Sequence, residues 1–113
     1  MARLVTRVVF LLLVLVSLAM FLTPGPDVPQ GGPDDKVVHA GIFVVLTLSG
    51  LLAAVPRLRL AVGLTAYAAV TEVLQWTLPI QRDGDWHDWV ADVTGVLLAL
   101  LLGWAGQRRA RQR

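Results

Sequence analysis

The chain has 113 residues and no cysteine, with 56% hydrophobic and only 16% charged residues. That length makes one domain. The apolar share exceeds the roughly 45–50% of soluble proteins, which argues against a water-soluble globule. Disulfides and thiolate metal sites are excluded. The net charge of +2 comes from short basic clusters beside apolar runs, a pattern that orients membrane segments and does not fit nucleic-acid binding.

Four apolar segments follow in chain order. Residues 4–22 carry a single charge, Arg7, close enough to the end to snorkel. They read as a retained helix and not as a signal peptide, because Thr23-Pro24-Gly25-Pro26 has no small-x-small cleavage site. The Pro- and Gly-rich stretch 23–35 is expected to be a loop with little helical potential. Residues 37–55 contain one ionisable residue, His39, and Pro56-Arg57-Leu58-Arg59 reads as a tight basic turn. Residues 60–78 contain Glu72 and Tyr67, and 79–86 form a polar turn bearing Arg82, Asp83, Gly84 and Asp85. Residues 89–105 contain only Asp92. The basic tail 107–113 is expected to fray and to anchor the chain against anionic lipid.

Each segment is near the ~20 residues that cross a hydrocarbon core, and lipid offers no partners to free backbone groups, so each should be helical. The predicted fold is all-α, a four-span transmembrane bundle in one domain over residues 1–113. Eight arginines (Arg3, Arg7, Arg57, Arg59, Arg108, Arg109, Arg111 and Arg113) fall on one side, and only Lys36 and Arg82 on the other. Both termini are therefore predicted to be cytoplasmic. Asp27, Asp34, Asp83 and Asp85 then read as solvated outer loop charges, and Trp76, Trp86 and Trp89 as an outer aromatic belt.

The ionisable residues near the apolar core share one level. With a rise of about 1.5 Å per residue, His39 and Asp92 lie roughly one turn inside their helices and Glu72 about 9 Å below the outer end of its own. Asp88, Asp92, Gly95, Ala99 and Gly103 form one stripe, acidic above and small below, which should face the bundle. Thr65, Ala68 and Ala69 repeat the small stripe below Glu72. Intramembrane charge is expensive, so its recurrence at one depth suggests a site. Glu72 and His39 are the candidates for acid–base work. Asp35, Lys36, Gln75, Arg82, Asp88 and Asp92 are the candidates for binding. The set can hold a divalent cation, bind an anionic or sugar head group, or move protons; the spacing singles out no particular metal or cofactor. The competing reading is interhelical glue, with Glu72 paired to Arg82 or Lys36. His87 reads as an interface residue.

Asp35-Lys36-x-x-His39, Glu72-x-x-Gln75, Pro79-x-x-Arg82 and Asp88-x-x-x-Asp92-x-x-Gly95 together resemble the VanZ-like family of small bacterial membrane proteins, over residues 35–100. Asp92 departs from that pattern, which has Asn there. The resemblance implies a multi-pass protein of the bacterial plasma membrane and a link, through the family's founding member, to resistance against the glycopeptide teicoplanin. It leaves open whether the protein is an enzyme. The functional expectation is a cell-envelope protein whose outward-facing polar site binds or modifies a lipid-linked cell-wall intermediate or a glycopeptide. The alternative is a non-enzymatic membrane protein whose cluster only specifies packing. A transporter comes third, since a chain this short would need to oligomerise to enclose a path.

Overall fold

The computed structural model describes residues 1–113, and every regular element in it is helical. Helix α1 spans Ala2–Phe21, α2 Asp35–Leu52, α3 Arg57–Thr77 and α4 Trp86–Gln112. The connection between α1 and α2 holds one 3₁₀ turn, Gly25–Asp27, started by proline. Its amide Gly25 N–H donates to Ile80 O at 2.7 Å, which pins this loop to the one between α3 and α4.

Burial in this bundle is inverted relative to a soluble protein. Of 19 buried residues, eight are polar or charged: Ser17, His39, Thr47, Thr71, Glu72, Gln75, Asp88 and Asp92. Meanwhile Leu4, Leu11, Leu12 and Leu15 of α1 and Leu97, Leu98, Leu101 and Leu102 of α4 lie exposed. In water such a surface is an aggregation hazard; in lipid it is the ordinary solvent face. α1, α2 and α4 are each long and apolar enough to cross a membrane. α3, expected as a span, has the length at 21 residues but is not in that apolar class. Thr65, Tyr67, Thr71, Glu72 and Gln75 lower its hydropathy, and of these Thr71, Glu72 and Gln75 lie on its buried face with Leu60, Leu64 and Ala68.

The most extensive helix–helix contact is that of α2 with α4. It is made possible by Gly95, where an added Cβ would press on the Ala40 carbonyl group and lie 3.1 Å from Ala40 Cα. Phe43, Leu46, Leu60, Leu64, Ala68 and Val96 fill the space below, and Phe21 closes it at the other end. α1 is the least embedded helix, held by a Ser17–Tyr67 hydroxyl contact of 2.7 Å and by polar groups at its C-terminal end.

The structure corrects two local expectations. The basic stretch at 56–59 is not the turn: Pro56 caps α3 and Arg57 begins it, while the reversal is made by Ala53–Val55, with Ala54 at φ 60°. Proline with its fixed φ is suited to a helix start. Nor does the tail fray, since α4 continues to Gln112. Arg57 Nη2 donates to Gln107 Oε1 at 2.7 Å, and Arg108 lies over the Trp104 ring at 4.5 Å. Cations in the last turn also complement the helix dipole.

Candidate functional site

The site is assembled at one end of the bundle, where α2 and α4 begin and α3 ends. Asp34 starts α2 by accepting from Lys36 N–H at 2.9 Å, and Asp85 starts α4 by accepting from His87 N–H at 2.9 Å. Carboxylates at helix N-caps satisfy orphan backbone donors. One turn further in on each helix stand His39 and Asp88, and two turns in on α4 stands Asp92. α3 arrives from the opposite direction and contributes Glu72.

His39 is the hub. It is 2% exposed, with its ring against Phe21 at a centroid distance of 5.0 Å. Nδ1 lies 2.8 Å from Asp92 Oδ1 and 3.8 Å from Glu72 Oε1. Nε2 faces Asp35 Oδ2 at 3.6 Å and Asp88 Oδ2 at 4.0 Å. Both edges of one imidazole thus look at carboxylates from three helices. Lys36 supplies the nearest full positive charge, and it is engaged by Asp88 Oδ1 at 3.3 Å and Asp85 Oδ2 at 3.5 Å.

Glu72 is positioned by a backbone donor. Gly84 passes so tightly over the last turns of α3 that an added Cβ would lie 2.6 Å from Trp76 Cβ and 2.8 Å from Glu72 O. This brings Asp85 N–H within 3.0 Å of Glu72 Oε2. The other oxygen, Glu72 Oε1, and Asp92 Oδ2 are buried and have no hydrogen-bond partner. Buried acceptors left without donors are uncommon and costly. Two histidine–carboxylate groups have donor atoms within 4.8 Å of one another and the geometry to hold a metal ion: His39, Glu72 and Asp92, all buried, and Asp35, His39 and Asp88.

Six of the eight residues singled out from the sequence, Asp35, Lys36, His39, Glu72, Asp88 and Asp92, therefore come together. Gln75 and Arg82 do other work. Gln75 Nε2 donates to Phe21 O at 2.9 Å, and Arg82 Nη1 to Thr23 O at 3.1 Å and Met20 O at 3.3 Å. Gln75 thereby satisfies the last carbonyl of α1, and Arg82 adds a donor to Met20 O, which also accepts from Thr23 N–H, and to Thr23 O just beyond the helix; Glu72 pairs with neither Arg82 nor Lys36. Arg82 does border a cavity of about 590 Å³ that also reaches His39 and Asp35. Its walls also include Met20, Phe21, Thr23, Val38 and Ile42 and the loop Val28–Pro33. A second cavity of about 340 Å³ touches Glu72, between Trp76, Trp86 and Trp89.

The sequence reading missed Asp85, taken there as a loop charge. It caps α4, pairs with Lys36 and presents the amide that holds Glu72. Its place three residues before Asp88, just ahead of an apolar helix, is an N-cap signal. The His87 backbone N–H and then its ring, at 2.8 Å, hold the Asp85 carboxyl below the ordinary carboxylate range. His87 itself is exposed and stacks on Trp86 at 3.9 Å. No protein-family model, characterised protein or solved structure matches the chain, so its function has to be argued from this site.

Proposed function

We propose that the protein is a four-span membrane protein of the bacterial plasma membrane, similar to the VanZ-like family, with both termini cytoplasmic. In this reading α3 crosses with the other three helices, its polar face shielded by the bundle, and the His39 end opens to the outside. The arginine distribution supports that orientation, with eight arginines at or near the opposite end. The site binds an amphipathic envelope ligand: a lipid-linked cell-wall intermediate or a glycopeptide of the teicoplanin type.

The observation that carries this reading is the 590 Å³ cavity beside His39. Ligand sites are mostly apolar concavities with a few convergent polar groups, commonly of about 300–1,000 Å³. Here Met20, Phe21, Val38 and Ile42 offer an apolar wall, and Arg82, His39 and Asp35 offer the polar groups. Arg82 spends one nitrogen on α1, and a guanidinium carries five N–H donors, so others remain for an anionic group. Where chemistry follows binding, His39 and Glu72 are the acid–base pair, with Asp88 and Asp92 orienting them. Lys36 is committed to Asp85 and Asp88 and acts on the site through them.

The alternative, a non-enzymatic packing role, is favoured by one fact: the His39–Asp92 bond and the Lys36–Asp88 pair join α2 to α4. Glue built for packing would nonetheless satisfy its own acceptors, and Glu72 Oε1 and Asp92 Oδ2 remain without donors.

The test is native mass spectrometry of the detergent-solubilised chain with a lipid-linked cell-wall precursor and with teicoplanin in turn. One bound molecule per chain, lost when Ile42→Trp fills the cavity, is the expected result. A folded chain that binds neither returns the protein to the packing role.

A further inference from the structure

We infer that His39, Glu72 and Asp92 form a binding site for one divalent metal ion of the zinc class. The inference concerns the buried acids themselves. It does not depend on what the neighbouring cavity binds, and with the ion in place His39 and Glu72 serve as its ligands in place of the direct acid–base role.

Charge is the first argument. Lys36 is taken up by Asp85 and Asp88, and Arg82 makes no ion pair with Glu72 or Asp92. Glu72 and Asp92, 8% and 0% exposed, share only one imidazole between them. Two carboxylates beside at most one positive charge are poorly matched in a low-dielectric interior. A divalent ion balances them.

Geometry is the second. Nδ1 of His39 lies 2.8 Å from Asp92 Oδ1 and 3.8 Å from Glu72 Oε1. Ligand atoms sharing one ion at bond lengths of about 2.0–2.2 Å stand roughly 3.0–3.5 Å apart, so both His39 distances lie within about half an ångström of that spacing, and all three donors already lie within 4.8 Å of one another. The ion displaces the proton that His39 and Asp92 otherwise share, and binding releases it to solvent. Glu72 Oε1 and Asp92 Oδ2, the two acceptors without donors, then gain a partner or sit beside one.

The surroundings are the third. A metal-bound histidine ordinarily turns its other ring nitrogen to a carboxylate, and His39 Nε2 faces Asp35 and Asp88. Glu72 Oε2 is fixed by Asp85 N–H, so its other oxygen is held ready. One nitrogen and two carboxylates, without sulfur, suit zinc, cobalt or manganese. Three protein ligands leave a coordination position for water or a bound molecule, the arrangement of catalytic zinc sites.

The full chain, purified in detergent and stripped with a chelator, is titrated with Co²⁺ and then Zn²⁺. The expected result is one ion per chain, a visible Co²⁺ spectrum that Zn²⁺ abolishes, and a zinc-dependent rise in Tm. Glu72→Gln and Asp92→Asn should each weaken binding by at least about tenfold, while the exposed loop acid tested by Asp83→Asn leaves it unchanged. X-ray absorption on the zinc-loaded wild type decides even if those variants fail to fold. One imidazole nitrogen with carboxylate oxygens at about 2.0–2.2 Å is expected. Folded wild type that takes up no stoichiometric ion, or binds one through oxygen alone, overturns the inference. So does a chain without metal uptake that Glu72→Gln and Asp92→Asn both stabilise, for then a proton and not an ion balances the acids.

Discussion

Replacing Gly95 by alanine tests whether α2–α4 packing sets the geometry of the site. The new Cβ would lie 3.1 Å from both the carbonyl carbon and the Cα of Ala40, and closer still to the carbonyl oxygen. Comfortable carbon contacts begin at about 3.5–4.0 Å, so α2 has to withdraw by roughly 0.5–1 Å. The obstruction is backbone and no rotamer change relieves it. His39 adjoins Ala40, and Asp92 lies one turn before Gly95, so the withdrawal stretches the 2.8 Å His39–Asp92 bond to the limit of hydrogen bonding or past it. Overpacking costs about 1–3 kcal/mol, and an interhelical hydrogen bond in a membrane adds about 0.6. Alanine's helix propensity returns up to about 1 kcal/mol. The net loss is about 0.6–3.6 kcal/mol on these figures. Gly41→Ala, on the neighbouring helix with nothing within 4 Å of its added Cβ, is the control and should gain about 1 kcal/mol. Thermal unfolding in detergent measures both. If Gly95→Ala is as stable as wild type, or rises with Gly41→Ala, the close approach of α2 to α4 does not support the site.

Three further outcomes follow from the same structure. Gln75→Leu leaves Phe21 O buried without its donor and should loosen α1, at a cost of about 1–3 kcal/mol; faster amide exchange at the end of α1 is the readout. Asp85 has a folded pKa below its ordinary 3.8, so its cap and its pair with Lys36 contribute fully above that value and are lost as pH falls through the lower, folded one. Tm should therefore drop on acidification below about pH 4, and Asp85→Asn should flatten that part of the profile. The chain has no cysteine, so single cysteines at Gln30 and Asp83 should react with an impermeant thiol reagent from outside the cell, and labelling from the cytoplasm alone would reverse the orientation.

Much of the architecture is legible in the sequence because hydropathy and helical spacing are local. The apolar runs mark the helices, and the Asp88–Asp92–Gly95–Ala99 stripe marks the face of α4 that is buried. Convergence of His39, Glu72 and Asp92 is also readable, since their depths follow from helical rise. The roles of Gln75 and Arg82 are not readable. Their acceptors are backbone carbonyls of α1, more than fifty residues away, and a carbonyl has no residue-type signature. For the same reason the link from Asp85 N–H to Glu72 is invisible until Gly84 is seen against α3. The helical end of α4 is not legible either, because Arg57–Gln107 and Arg108–Trp104 hold a segment whose composition alone resembles a loose tail.

The claim that these buried acids serve a ligand and not merely packing is tested most directly by Glu72→Gln. The amide oxygen can keep the bond from Asp85 N–H, and the amide nitrogen brings a donor to a pocket with too few, so the fold should hold. Tm of the chelator-treated, metal-free protein in detergent and glycopeptide susceptibility of a deletion strain carrying the variant are measured side by side. A Tm at or above that of wild type together with loss of complementation is expected. Full complementation by the equally stable variant would contradict that claim and leave the cluster as a packing device.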